Sequence, residues 1–124
     1  MIYLDTHVVV WLYAGLTEKL SPEGAELIEA NPLFISPMVQ LELQYLKEIN
    51  RISAESALIV ETLACSIGLE LCPRPFAQIV TEALTESWTR DPFDRLIVAQ
   101  ARASQALLLS QDQFIREHYP RTVW

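Results

Sequence analysis

Four short, largely apolar runs punctuate this chain: Ile2-Tyr3-Leu4, Leu33-Phe34-Ile35, Leu69-Glu70-Leu71 and Ala106 to Leu109. Each is too short for a core helix, and helix signals stand between them. Asp5 or Thr6 can cap a helix to about Ala14, although Val8-Val9-Val10 by propensity alone would extend the strand. Ser21-Pro22-Glu23 supplies a cap, a proline at the first helical position and an acid in the first turn, opening a helix to about Ala30. Ser36-Pro37 repeats the signal for a helix to about Ile49. Ser53 caps another to about Cys65, Gly68 marks a turn, and helices are expected over Phe76 to Thr85 and Asp112 to His118. Thr122-Val123-Trp124 adds an edge strand. Short strands separated by helices predict an α/β fold with three layers, a central parallel sheet covered by helices on both faces. Ligands bind such sheets at the carboxyl ends of the strands.

The 124 residues suit one domain spanning residues 1–124, with 51% hydrophobic residues to fill its core. A net charge of −7 argues against non-specific nucleic-acid binding. Acids gathered in one pocket reverse that local field once they hold divalent cations. Arg90, Arg95, Arg102, Arg116 and Arg121 cluster in the last third, where they either recognise phosphate or lie solvated. Cys65 and Cys72 match neither a zinc pair nor a redox motif and read as reduced, mostly buried thiols of a cytoplasmic protein. No signal peptide is expected, and Val8 to Ala14 is far too short to span a bilayer.

The stretch Arg90 to Ala101 is a helix entry. Asp91 is the cap, Pro92 the first helical residue and Asp94 a first-turn acid. Leu96, Ile97, Val98, Ala99, Ala101 and Ala103 make the helix apolar nearly all round, so it is buried on most sides. The helix runs into the fourth strand, and chain direction alone places its start toward the strand-start side unless packing brings it round.

Asp5, Asp91, Asp94 and Asp112 can each be explained as helix caps or dipole partners. Glu42 cannot. Its helical neighbours are Met38, Val39, Tyr45 and Leu46, while Gln40, Gln44 and Lys47 form the polar stripe elsewhere. A carboxylate on an apolar face needs an arginine such as Arg95, a hydrogen-bonded proton, or a metal ion. Taken together, Asp5, Glu42, Asp94 and Asp112 are four hard oxygen donors on four elements, a set suited to Mg²⁺ or Mn²⁺. The chemistry such a set serves is in-line attack on a phosphodiester.

Tyr3-Leu4-Asp5-Thr6-His7, Ser36 through Leu43 with Glu42, Asp91-Pro92-Phe93-Asp94-Arg95 through Ala101, and Leu108-Leu109-Ser110-Gln111-Asp112-Gln113-Phe114 together resemble the PIN domain. The likeness is greatest to small bacterial VapC-type toxins of toxin–antitoxin pairs. Asp-Pro-Phe-Asp-Arg is the most specific piece. The resemblance implies an Mg²⁺- or Mn²⁺-dependent endoribonuclease acting on RNA, with Asp5, Glu42, Asp94 and Asp112 as the acidic set. Thr6 and Ser110 match polar positions beside the metal, and Asp91 is an extra acid, cap first and supporting group second. Ser110-Gln111-Asp112 departs from the commoner Thr-x-Asp form but keeps the hydroxyl. The resemblance also implies that the start of the Asp94 helix reaches the acidic pocket, that the protein is a homodimer, and that a cognate VapB-like antitoxin fills the groove. Trp11, Trp88 and Trp124 are candidate interface aromatics or ordinary core, and His7 and His118 read as structural or surface residues. Two other readings compete: a non-catalytic PIN-type binding module working through its acidic groove, and a metal-dependent nuclease acting on DNA.

Overall fold

The computed structural model describes residues 1–124. Strands β1 (Ile2–Leu4), β2 (Leu33–Ile35), β3 (Glu70–Leu71), β4 (Leu107–Leu109) and β5 (Thr122–Val123) form one sheet in the order β3-β2-β1-β4-β5. Every pairing is parallel. Seven helices flank it: α1 (Thr6–Ala14), α2 (Pro22–Ala30), α3 (Pro37–Glu48), α4 (Ser56–Ile67), α5 (Phe76–Ala83), α6 (Pro92–Ala103) and α7 (Gln113–His118). This is the expected three-layer α/β/α arrangement.

Successive strand residues point to opposite faces of a sheet. All three residues of the central strand β1 are buried, so both faces are covered. The edges are managed by shortness: β3 and β5 have two residues each, and Glu70 and Leu71 are exposed. The main core joins Ile2, Leu4, Ile35, Leu43, Leu108 and Leu109 to the buried side of α6. A smaller cluster locks Ala99 of α6 against Ile79 and Ala83 of α5. The Asp91 helix is thus buried on most sides, as its composition predicts, with Ile97 to Ala101 all shielded from solvent.

Three local expectations change. The helix expected from Ser53 begins at Ser56, because α3 caps it from outside: Gln44 Oε1 accepts the Ser56 backbone N–H (3.3 Å) and the Ser56 hydroxyl donates to the Gln40 carbonyl (2.6 Å). A short 3-10 turn over Thr17–Lys19 follows α1, which ends on left-handed Gly15 at φ +73°. Of the two free cysteines only Cys72 is buried, taking the Tyr3 hydroxyl hydrogen at 2.9 Å, while Cys65 is exposed.

Candidate active site

Strand order reverses between β1 and β4, where the chain has laid β2 and β3 to one side and places β4 and β5 on the other. Such a switch point opens a crevice beyond the strand ends. Asp5 directly follows β1; Ser110 and Asp112 directly follow β4. The Asp5 backbone N–H donates to the Leu109 carbonyl (3.0 Å), tying the two strand ends together.

Asp5 is 5% exposed and its carboxylate is fully engaged. Oδ1 accepts the Thr6 N–H at 2.8 Å, capping α1, and Oδ2 accepts the Ser110 hydroxyl at 2.7 Å. Ser110 Oγ in turn accepts the Asp112 N–H at 3.1 Å. Asp112 caps α7: its Oδ1 takes the N–H groups of Phe114 (2.8 Å) and Ile115 (3.1 Å), which leaves Oδ2 as the oxygen available to the crevice.

Glu42 enters from α3. Val39 and Leu43 on the same helix are buried, and Glu42 is half-buried. Its compensation is the Thr6 hydroxyl, which donates to it, and not an arginine. Arg95 turns away and spends its guanidinium on the carbonyls of Ala83 (2.9 Å) and Leu84 (3.4 Å) at the end of α5. Burial raises the Glu42 carboxyl above the ordinary range; the Thr6 hydroxyl pulls it back, and Asp5 and Asp91 push it up again.

Asp94 sits in the first turn of α6. Asp91 Oδ1 accepts the N–H groups of Phe93 (2.8 Å) and Asp94 (3.2 Å), so the exposed Asp91 is the cap that was expected. The start of α6 lies at the strand-end crevice, contrary to the reading from chain direction alone. The helix feeds β4 but runs antiparallel to it, so its last turn meets the strand start and its first turn the strand end. Twelve residues at ~1.5 Å each cover ~18 Å, longer than β4, and carry Asp94 out to the other acids. Burial, then Asp91, Asp5, Asp112 and Glu42 in that order, push the Asp94 carboxyl up to about 7.

These acids line one open pocket of about 290 Å³. Its wall comprises Asp5, Thr6, Glu42, Asp94 and Asp112 together with His7, Val10, Trp11, Leu46 and Ile52. No lysine or arginine pairs with any of the four carboxylates; the ion pairs of Lys47 and Arg102 are made with Glu55, Glu82 and Glu86 instead. The donor set is all oxygen and lacks a counter-charge, which fits a divalent cation. No three of the acids converge into a ready-made chelate. Mg²⁺ does not require such a chelate, since it keeps several waters and takes only one or two direct carboxylates.

His7 and Trp11 belong to the pocket, a role their sequence context did not convey. His7 Nε2 accepts the Gln111 N–H at 3.0 Å, which leaves Nδ1 as the protonated nitrogen, 3.6 Å from Asp5 Oδ2. The available signal was position alone: His7 and Trp11 lie on the helix that Asp5 caps. His118 is surface, as read: exposed, stacked on Trp88 at 4.8 Å, and bonded through Nδ1 to the Phe114 carbonyl. Among the clustered arginines, Arg102 is committed to the buried Glu86.

A family model described as the PIN domain matches residues 2–119. The chain belongs to the PIN domain family. Over 132 aligned residues, 99% of this chain and 98% of the relative, it is 31% identical to "Ribonuclease VapC22" of Mycobacterium tuberculosis (strain ATCC 25618 / H37Rv). Solved structures share the PIN fold. VapBC2 from Rickettsia felis bound to a promoter DNA fragment superposes with a TM-score of 0.65 at 21% identity, covering 99% of this chain and 96% of that one. A toxin–antitoxin complex from Klebsiella pneumoniae gives 0.69 at 15% identity, covering 100% and 97%. No helix of this PIN domain is long and apolar enough to cross a membrane.

Proposed function

We propose that this PIN domain is a divalent-metal-dependent endoribonuclease, a VapC-like toxin that hydrolyses RNA phosphodiester bonds and is restrained by a cognate VapB-like antitoxin. The observation that carries the reading is a single pocket at the strand ends lined by Asp5, Glu42, Asp94 and Asp112, with no lysine or arginine paired to them. The relative at 31% identity is named a ribonuclease, and the similar solved structures are toxin–antitoxin complexes, which supports both halves of the proposal. In this reading residues 1–124 act as one domain, work in the cytoplasm and pair as a homodimer.

Asp5, Glu42, Asp94 and Asp112 would hold Mg²⁺ or Mn²⁺, directly or through water. When bound, the ion supplies charge neutralisation at the phosphate and acidifies an attacking water. The protein's contribution is orientation. Thr6 holds both ends of the site, its N–H on Asp5 and its hydroxyl on Glu42. Ser110 holds Asp5 and the backbone of Asp112. Burial and the neighbouring acids hold the Asp94 carboxyl at about 7 before a cation enters, and a bound cation would favour its ionised form. Asp91 keeps the first turn of α6 in place as its cap.

The test is cleavage of single-stranded RNA by the purified protein with Mg²⁺, Mn²⁺ or EDTA, beside a DNA strand of the same sequence. RNA cleavage with either ion, abolished by EDTA and by Asp94→Ala or Asp5→Ala in a folded protein, is the expected result. Cleavage that survives Asp94→Ala excludes the proposed site, and preference for DNA overturns the substrate assignment. Tight partner binding without any cleavage would favour the non-catalytic module.

A further inference from the structure

The pocket combines acidic with apolar side chains. Val10, Trp11, Leu46 and Ile52 line it together with the acids. A hydrated ion or a phosphate gains nothing from an apolar wall, since burying charge there costs free energy. The wall therefore calls for an apolar part of whatever enters.

Trp11 is the one aromatic side chain on that wall. It is half-buried and fixed from two directions: the His7 ring lies 4.9 Å away at 62°, and the Trp124 ring 5.7 Å away at 58°. Both neighbours cross its plane steeply, and no parallel ring is stacked on it. The Lys19 ammonium lies 5.6 Å from its ring centroid, on an exposed side chain. Exposed cation–π contacts are weak and readily exchanged. The indole is thus held by two rings, without a parallel stacking partner, in the same pocket as the acids.

We propose that Trp11 is a stacking platform for an unpaired base of the substrate strand next to the scissile phosphate. The inference rests on the ribonuclease reading and adds to it the part of the substrate that the apolar wall receives. Proteins take single-stranded RNA by stacking splayed bases on aromatic rings. A net charge of −7 argues against general attraction to the phosphates. Stacking supplies affinity that does not depend on that charge, and it tolerates any base because every base has a π-face.

The experiment compares steady-state cleavage of a short single-stranded RNA with Mn²⁺ by the natural protein, Trp11→Leu and Trp11→Phe. Leucine keeps apolar bulk without an aromatic face. It is expected to raise KM about tenfold, equivalent to ~1.4 kcal/mol, with kcat little changed. Phenylalanine is expected to recover most of the loss. Removing the base beside the scissile phosphate from the RNA should cost the natural protein a similar factor and the leucine variant little more. A leucine variant with unchanged KM, or a fall in kcat alone, overturns the platform, including the case where only binding of a protein partner is lost. Should the leucine variant not fold, the base-free RNA series on the natural protein decides: no rise in KM at either neighbouring position overturns the platform. A natural protein that cleaves no RNA removes the ribonuclease reading and the platform together, whereas an active protein indifferent to Trp11→Leu removes only the platform.

Discussion

The Ser110 hydroxyl donates to Asp5 Oδ2 at 2.7 Å across 105 residues of sequence, and the same oxygen takes the Asp112 N–H at 3.1 Å. One buried serine thereby fixes two of the candidate ligands. Ser110→Ala leaves an oxygen of the buried Asp5 carboxylate without its donor. The expected cost is about 2 kcal/mol in denaturant unfolding, the scale of a hydrogen bond to a charged group. RNA cleavage should fall roughly 10- to 100-fold, as for other losses of a group that orients a ligand. Activity within twofold of the natural protein would remove Ser110 from the site.

Asp94 carries the pH dependence. Its folded pKa of about 7 stands above the ordinary 3.8, so the metal-free folded protein holds this proton more tightly than the unfolded chain. The sign follows from linkage: stability from this group is fully present below about 4, and is lost as pH rises through about 7. Asp94→Asn removes that slope. In EDTA at pH 7.5 the variant should melt higher than the natural protein, by roughly 4 °C, the shift of ~1 kcal/mol in a domain this size after allowing for solvent screening. It should also be inactive, so stability and activity move in opposite directions. A melting temperature that falls on substitution contradicts the repulsion between the acids.

A cation entering the pocket relieves the same repulsion. Mn²⁺ or Mg²⁺ at 100 times its Kd should stabilise the natural protein by about 2.7 kcal/mol. Glu42→Gln keeps an acceptor for the Thr6 hydroxyl but removes a charge, so it should fold and lose most of that gain. Calorimetric melting with and without the ion reads both. An equal gain in the glutamine variant would place the ion elsewhere.

Glu86 is 2% exposed, far from the pocket, and is held by Arg102 and by the Trp88 indole N–H. Arg102→Met strands that carboxylate and removes the cation from the face of Tyr119, 4.9 Å from its ring centroid. Destabilisation of about 2–3 kcal/mol is expected by denaturant unfolding, with cleavage of RNA unchanged at temperatures where the protein stays folded. The double substitution Arg102→Met with Glu86→Leu should restore much of the loss, because no uncompensated charge remains. No recovery would mean that the pair contributes more than charge balance.

Much of the architecture is written locally. Ser21-Pro22, Ser36-Pro37 and Asp91-Pro92 start helices where the structure starts them, because a cap and a proline act on the next turn of backbone. Glu42 stood out because a carboxylate on an apolar helix face needs a partner, and it has one in Thr6. The partner's identity was not legible: Arg95 was one of the alternatives, and only packing sends it to the carbonyls ending α5. The cap of α4 moved two residues, from Ser53 to Glu55, because Gln40 and Gln44 of another helix bind Ser56. Nothing near Glu86 in sequence announces its burial.

By itself the sequence determined the alternation of short strands and helices, the caps, and the presence of acids that no local partner neutralises. These depend on backbone torsions and side-chain periodicity within one or two turns. Local physics left open, and tertiary structure decided, that Asp5, Glu42, Asp94 and Asp112 share one pocket with Trp11 and that Asp94 lies at the strand ends, as the family resemblance implied. Those placements come from strand order and from an antiparallel helix longer than the strand it feeds. They are set by burial of the whole sheet, which no local stretch encodes.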